Sequence, residues 1–334
     1  MIEAGNLIRN IYQIERHLGE SSLGDYYIAV VTSDGRKVKL EILEDADQEN
    51  IDRLSREIEL LASFDHPNIF RAFDAGQDGN LFFLASEYEE GETLEEILKR
   101  GPIDPVSCVI IASEIASALN YAWDHSKILH RDLKPTNMFI TETQKTKLMG
   151  FGIAKSGEGQ SMGLTGVGFT VGTPEYMSPE QIRAVDDLDF RSDMYGLSCV
   201  LYEMLTGSLP FIEEAPILLM QKQMDEDPEP VNVRNPEVSQ AIANVVQKMM
   251  QKDRDDRYQS WQDLEADFQS VIDGRASDAP AAAPEAAPEA GTAAPPMPEE
   301  TAAQAQPEKK GCAAALVAIG LIAGIGTGLG SYFI

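Results

Sequence analysis

The side chains best suited to chemistry stand together near the middle of the 334-residue chain, in the run His130-Arg131-Asp132-Leu133-Lys134-Pro135-Thr136-Asn137. This run places a carboxylate, an amine and an amide within one short segment, and such groups serve proton transfer and ion binding. Metal and disulfide chemistry are not indicated, because the 3 cysteines and 4 histidines show no metal-ligand spacing and no C-x-x-C pair. The run is therefore the principal candidate site.

The run resembles the catalytic loop of Ser/Thr protein kinases, residue for residue. The resemblance implies that Asp132 accepts the proton of a substrate hydroxyl, that Lys134 fills a position typical of the Ser/Thr group, and that Asn137 is a magnesium ligand. Downstream, Gly172–Glu180 resembles the end of an activation segment, and Ser192–Leu197 resembles the start of the buried helix that follows it. The resemblance therefore implies a protein-kinase domain.

Several positions outside the loop are expected, from the same resemblance, to support it. Thr173 is expected to bond within the catalytic loop, and Glu57 is the helix residue that would pair with a strand lysine. Arg257 is expected to form a structural ion pair with Glu180. Phosphorylation of the activation segment, with Arg131 as the phosphate ligand, stays open. The candidate acceptors are Thr165 and Thr170.

The loop that would cover a nucleotide departs from the kinase pattern G-x-G-x-x-G-x-V. Gly19 and Gly24 keep their positions, but Ser21 replaces the second glycine and adds a side chain where backbone must approach phosphate oxygens. Tyr26 replaces the valine that packs on adenine. We therefore expect a tyrosine ring to intrude on the base pocket.

The strand motif V-A-I-K is replaced by Val38-Lys39-Leu40-Glu41. Glu41 stands where a lysine would neutralise the α- and β-phosphates, so attraction becomes repulsion. Glu41 would also face Glu57, and two nearby carboxylates raise one another's pKa or move apart. Lys39 replaces a small residue under the adenine. Because Lys39 and Glu41 share a strand face, Lys39 also stays open as a substitute phosphate ligand.

The D-F-G motif is replaced by Gly150-Phe151-Gly152. Glycine has no side-chain oxygen, so the main magnesium site bridging the β- and γ-phosphates is predicted to be missing. Phe151 is expected to pack in an internal column with His130 and Leu61. No cofactor is firmly predicted, and ATP and magnesium are left open with Asn137 as the remaining metal ligand. The other candidate residues of the nucleotide pocket are Glu87 and Tyr88.

The charge and the C-terminal composition bear on partners and location. A net charge of -28 disfavours nucleic acid as a partner. Residues 276–310 are rich in Ala and Pro and are predicted to form a disordered linker.

Residues 311–334 contain no charged side chain and are long enough to cross a bilayer as one helix, with Lys309 and Lys310 favouring a cytosolic side for the preceding chain. Glycines at four-residue spacing favour a homodimer of this helix, and they are Gly320, Gly324 and Gly328.

The sequence thus predicts an α+β, two-lobed protein-kinase-like fold, with the N-lobe over 11–91 and the C-lobe over 92–275. The linker and a C-terminal transmembrane anchor follow. The favoured function is a pseudokinase that scaffolds or regulates protein partners, other kinases among them, at the cytosolic face of the cell membrane. The alternatives are a residually active Ser/Thr kinase with Asp132 as base, and another nucleotide-dependent transfer on the same fold.

Overall fold

The computed structural model describes residues 2–20, 24–44, 63–151, 155–156 and 173–274. These residues all lie within one unit, Met1–Ala283. The predictions made for other parts of the chain lie outside the described residues. They concern Ser21, Glu57, Leu61, Gly152, Thr165, Thr170, Gly172, the linker, the anchor and its glycine stripe.

The N-terminal part of the fold is a six-stranded antiparallel sheet in the order β1-β2-β3-β4-β6-β5. Its strands are β1 (Leu7–Ile8), β2 (Tyr12–Glu20), β3 (Asp25–Val31), β4 (Lys37–Glu44), β5 (Ala72–Asp78) and β6 (Leu81–Glu87). Along β4, Val38, Leu40 and Ile42 are buried in one apolar cluster. Because side chains alternate along a strand, Lys39 and Glu41 share the opposite face.

The C-terminal part begins at β7 and is mainly helical. Its short strands are β7 (Gly91–Thr93), β8 (Ile128–Leu129), β9 (Met138–Thr141), β10 (Thr146–Leu148) and β11 (Lys155–Ser156), which pair as β10-β9-β7 and β11-β8. Its helices are α1 (Leu94–Leu98), α2 (Pro105–Ser126), α3 (Pro179–Ile182), α4 (Phe190–Thr206), α5 (Pro216–Asp225), α6 (Val231–Arg234), α7 (Gln240–Met249) and α8 (Trp261–Ile272).

Helix α4 is the centre of the C-terminal core. Every residue from Ser192 to Tyr202 on this helix is buried, as expected for a helix surrounded by protein. Asp189 caps its first turn, and Gly207 ends it in the left-handed conformation at φ 71°. Because α4 is buried on all sides, its acidic residue Asp193 is held in the core, next to the two residues that follow β8.

Helix α2 packs in the same core as α4. Asp104 caps its start and Pro105 occupies its first turn, a pairing typical of helix N-termini. Within the described part of the chain, α2 alone has the length and apolar composition of a membrane span, and its core-facing side chains include Ile115 and Leu119. The predicted α+β, two-lobed arrangement is confirmed for the described residues.

Candidate active site and nucleotide cleft

The loop after β8 is fixed by the buried carboxylate of Asp193. Its Oδ2 accepts from the backbone N–H of His130 at 2.7 Å, and its Oδ1 accepts from that of Arg131 at 2.9 Å. His130 Nε2 donates to the Met149 carbonyl at 2.7 Å, while its Nδ1 accepts from the N–H of Asp132 at 3.4 Å. Burial lowers the pKa of His130, so the ring is neutral with its proton on Nε2.

Asp132 lies at the centre of a four-residue network of side chains. Its Oδ1 accepts from the Thr173 hydroxyl at 2.9 Å, and its Oδ2 lies 2.7 Å from Lys134 Nζ. Lys134 Nζ also donates to Thr173 Oγ1 at 3.3 Å. Burial alone would raise the pKa of Asp132, but the bonds from Lys134 and Thr173 outweigh it and hold the pKa below its ordinary value. An ionised carboxylate of this kind can accept a hydroxyl proton.

Asn137 completes this network. Its Nδ2 donates to the backbone carbonyl of Asp132 at 2.8 Å and lies 3.3 Å from Asp132 Oδ2. The network therefore brings together four residues predicted from the sequence, namely Asp132, Lys134, Asn137 and Thr173.

Gly150 adopts a backbone conformation that glycine favours, with φ at 84°. A Cβ atom at this position would lie 2.9 Å from Cγ, Nδ2 and Oδ1 of Asn137, which is too close for unshifted atoms. The side chain of Asn137 thus occupies the space that the Cβ atom of a larger residue at position 150 would need. The glycine provides no carboxylate, and it allows Asn137 to remain on Asp132.

The donor set next to Asp132 does not fit a magnesium ion held as in typical kinases. Gly150 provides no side-chain oxygen, and Asn137 is the one predicted ligand in the described network. Across the described ranges, no cluster of three or more His, Cys, Asp or Glu side chains could hold a metal ion. Carboxylate oxygens are the ligands that magnesium prefers, so the loss of the aspartate at this position removes its main anchor.

The phenylalanine after Gly150 packs inside the C-terminal core. Phe151 is buried, its ring centroid lies 4.9 Å from that of His130, and the Phe64 ring stands edge-on at 5.5 Å. These contacts confirm the predicted packing of Phe151 with His130. Apolar packing at this motif therefore persists without its acidic residue.

Lys39 on β4 packs against Tyr26 on β3. Lys39 Nζ lies 3.8 Å from the centroid of the Tyr26 ring, a distance typical of a cation–π contact. The same amine lies 3.8 Å from Met149 Sδ, the residue immediately before Gly150. The amine thus connects β4 with the segment after β10, and Tyr26 and Lys39 form a stacked pair.

Glu41 lies on β4 between two neighbouring strands. It is buried, and it stands opposite Tyr26 on β3 and opposite Leu84 on β6. Its acidic side chain therefore lies at the position where the kinase pattern has its phosphate-binding lysine. A carboxylate at this position repels a phosphate group, whereas the lysine would attract it.

Gly24 is required by close packing of β3 on β4. A Cβ atom at Gly24 would overlap the carbonyl oxygen of Ile42, so no larger residue fits without moving the backbone. Gly19 adopts φ 148° at the end of β2 with open space around it. Local structure therefore explains both glycines predicted for the nucleotide loop, through close packing at Gly24 and through the backbone angle at Gly19.

Glu87 is the last residue of β6, and the half-buried Tyr88 follows it, where the chain leaves the first sheet. Glu87 Oε2 accepts from Lys147 Nζ at 2.6 Å, and Glu89 Oε1 lies 3.8 Å from the same amine. The backbone N–H of Glu87 donates to the Arg71 carbonyl at 2.8 Å. The sequence did not indicate Lys147, whose amine joins this connecting segment to β10.

The predicted ion pair behind the activation segment is confirmed. Arg257 donates to both carboxylate oxygens of Glu180, at 2.6 and 2.9 Å, and its side chain is fully buried. A second contact to the same segment was not predicted, since Gln223 Nε2 on α5 donates to the Glu175 carbonyl at 2.7 Å. These two contacts fix the stretch that follows Thr173.

A six-stranded sheet followed by a mainly helical part that carries an Asp-Lys-Asn loop defines the class of protein-kinase folds. The profile of the protein kinase domain matches residues 12–268, and the chain belongs to this family, within its Ser/Thr group. The chain is 37% identical over 256 residues to serine/threonine-protein kinase PknB of Mycolicibacterium smegmatis, covering 75% of this chain and 41% of the relative. It is 34% identical over 273 residues to serine/threonine-protein kinase PrkC of Bacillus subtilis, covering 80% and 42%. The chain therefore spans less than half the length of these relatives.

Proposed function

We propose that this chain is a pseudokinase, a kinase-fold protein that binds and regulates protein partners without transferring phosphate from ATP. One observation carries the proposal, namely that the Lys39 amine lies against the Tyr26 ring and Met149. In the kinase pattern, the positions of Tyr26 and Lys39 are those that pack against the adenine. The buried Glu41 repels phosphate, and Gly150 leaves magnesium without its main ligand.

A residually active Ser/Thr kinase is the second candidate function. It is favoured by the complete network around Asp132, in which the carboxylate is ionised and held by Lys134 and Thr173. In this candidate Asp132 is the base, and Lys39 would have to leave the Tyr26 ring to reach a phosphate. The names of the two relatives, both serine/threonine-protein kinases, favour it as well.

The location and partners complete the proposal. Residues 311–334 anchor the chain in the cell membrane with the kinase-like domain on the cytosolic side, and Gly320, Gly324 and Gly328 allow two anchors to pair. The uncharged C-terminal stretch after Lys309 and Lys310 supports this part of the proposal. The partners are proteins at the membrane face, other kinases among them.

The two candidate functions differ in their response to nucleotide. The full chain in a nonionic detergent is heated with and without millimolar ATP and magnesium, and transfer of labelled γ-phosphate is measured against an Asp132→Asn blank. We expect no rise of the melting temperature, although a ligand at 100 times its Kd would add about 2.7 kcal/mol of stability. We also expect no transfer above the blank. Transfer above the blank would establish the kinase instead, and a metal-dependent rise of several degrees would contradict the expected loss of nucleotide binding.

A further inference from the structure

The region around the start of α5 exposes large apolar side chains at three closely spaced positions. Ile217 is 70% exposed, Ile212 is 65% exposed and Leu218 is 49% exposed. We call these three residues the α5 patch. Exposed apolar groups that cluster in this way are typical of surfaces that bind other molecules.

The exposure of the α5 patch does not come from a loosely held helix. On the opposite side of α5, Leu219 and Gln223 are buried. Gln223 Oε1 accepts from the Tyr195 hydroxyl at 2.6 Å, and its Nε2 donates to the Glu175 carbonyl. Glu213 in the preceding loop lies 2.7 Å from Lys222 on the helix. The patch is therefore held by the fold in an outward position.

The charge around the α5 patch restricts what can bind there. The segment 212–230 contains six acidic residues and one lysine, in a chain of net charge -28. The lysine is engaged by Glu213 and lies 4.0 Å from Glu226, and Glu229 is paired with Arg234 at 2.9 Å. The surroundings are thus strongly negative even with these pairs formed. A second copy of the chain would meet like charge, whereas a basic partner would be attracted.

We propose that the α5 patch docks a segment of a partner protein that presents apolar side chains flanked by Lys or Arg. The helix that carries this surface is itself tied to the stretch before the candidate active site, because Gln223 on its buried side donates to the Glu175 carbonyl, and Thr173 two residues earlier bonds to Asp132. This inference goes beyond the proposed function, since it holds whether or not phosphate is transferred.

The test uses a synthetic basic peptide as the probe, with Leu along one helical face, Lys elsewhere and a fluorescent label. Its affinity for the full chain is measured by anisotropy at physiological salt in a nonionic detergent, with detergent alone as the blank. The variant Ile217→Ser/Leu218→Ser removes the patch. The matched control, Leu7→Ser/Val233→Ser, removes two exposed apolar residues elsewhere, on β1 and α6. An acidic peptide with Glu in place of every Lys tests the charge requirement.

We expect the patch variant to raise the peptide Kd about tenfold or more, which corresponds to about 1.4 kcal/mol, and the control to leave it within about twofold. The acidic peptide should not bind. Equal affinity of the patch and control variants, or tight binding of the acidic peptide, would overturn the proposal. So would a dimer of the unmodified chain that the patch variant abolishes, because a second copy would then be the occupant. If the patch variant unfolds, a benzophenone-bearing probe is crosslinked to the unmodified chain, and crosslinks outside 212–222 would refute the proposal.

Discussion

Restoring the two missing nucleotide contacts is the most informative perturbation of this protein. Glu41→Lys returns a cation to β4, and Gly150→Asp returns a carboxylate beside Asn137. Each such contact contributes on the order of 10²- to 10³-fold to the rate in enzymes, so the pair could contribute roughly 10⁴- to 10⁶-fold. The two act on the same phosphates, hence we expect either single change to give little transfer and the double variant to exceed both.

The structure also predicts a cost in stability for the change at position 150. A side chain at φ 84° costs about 1 kcal/mol or more, and less for Asp than for Ala because Asp tolerates this region better. The new Cβ displaces Asn137, whose 2.8 Å bond to the Asp132 carbonyl is worth about 1 kcal/mol. We expect Gly150→Ala to lower the free energy of unfolding by about 2–3 kcal/mol, and Gly150→Asp by somewhat less.

The stacked pair of Lys39 and Tyr26 makes two further changes necessary for the highest rate of phosphate transfer. Lys39→Ala removes the amine that contacts Met149, and Tyr26→Val removes the ring beneath it. The quadruple variant should therefore be the most active of the series. The assay is transfer of labelled γ-phosphate to the protein itself and to a generic basic substrate, with Asp132→Asn added to every variant as its blank.

Matched variants separate the electrostatic argument from the steric one. Gly150→Ala carries the strain of Gly150→Asp without its carboxylate, so it should remain inactive in the Glu41→Lys background. A Gly150→Ala protein as stable as the unmodified chain would refute the steric argument about Asn137. A quadruple variant that binds magnesium and ATP no better than the unmodified chain would refute the explanation of the cleft.

Three further outcomes test other parts of the structure. Arg257→Met should lower the free energy of unfolding in urea by about 3–5 kcal/mol, because it leaves Glu180 buried without its partner. Adding Glu180→Leu should recover much of this loss. An equally large loss in the double variant would contradict the pairing argument. Burial lowers the pKa of Lys252 to about 8 from 10.5, so the unfolded chain binds this proton more readily. The stability of the unmodified chain relative to Lys252→Met should therefore rise with pH between about 8 and 10.5, by at most about 1.4 kcal/mol per pH unit, and a flat difference would contradict it. Deleting residues 311–334 should move the protein from the membrane to the soluble fraction without changing its melting temperature, and a truncated chain that precipitates would contradict the anchor.

The features that the sequence predicts correctly involve residues that belong to recognisable motifs. The Asp132 network follows from a run of eight residues together with Thr173, and the alternation along β4 puts Lys39 and Glu41 on one face. The pair of Arg257 with Glu180 spans 77 residues, yet it was predictable because both residues stand in recognisable motifs. Alternation along the strand determines the outcome on β4, whereas the Asp132 network and the Arg257–Glu180 pair follow from the resemblance to kinase motifs.

The features that the sequence does not predict depend on tertiary packing between residues without a motif. The amine of Lys39 reaches Met149 across 110 residues, and Gln223 reaches Glu175 across 48. No periodicity encodes either contact, because each depends on how the first sheet and α5 are placed. The same holds for the space that Asn137 fills beside Gly150, which requires the backbone angle to be known.

The retention of Asp132 has a structural reason that does not depend on phosphate transfer. Its two carboxylate oxygens accept from Thr173, Lys134 and Asn137, and its backbone N–H donates to His130. A carboxylate with so many partners positions the loop and the start of the stretch at Thr173, so replacing it would leave Lys134 without its countercharge. The presence of Asp132 therefore does not distinguish a kinase from a pseudokinase. The residues that do distinguish them line the nucleotide side of the cleft, at Lys39, Glu41 and Gly150.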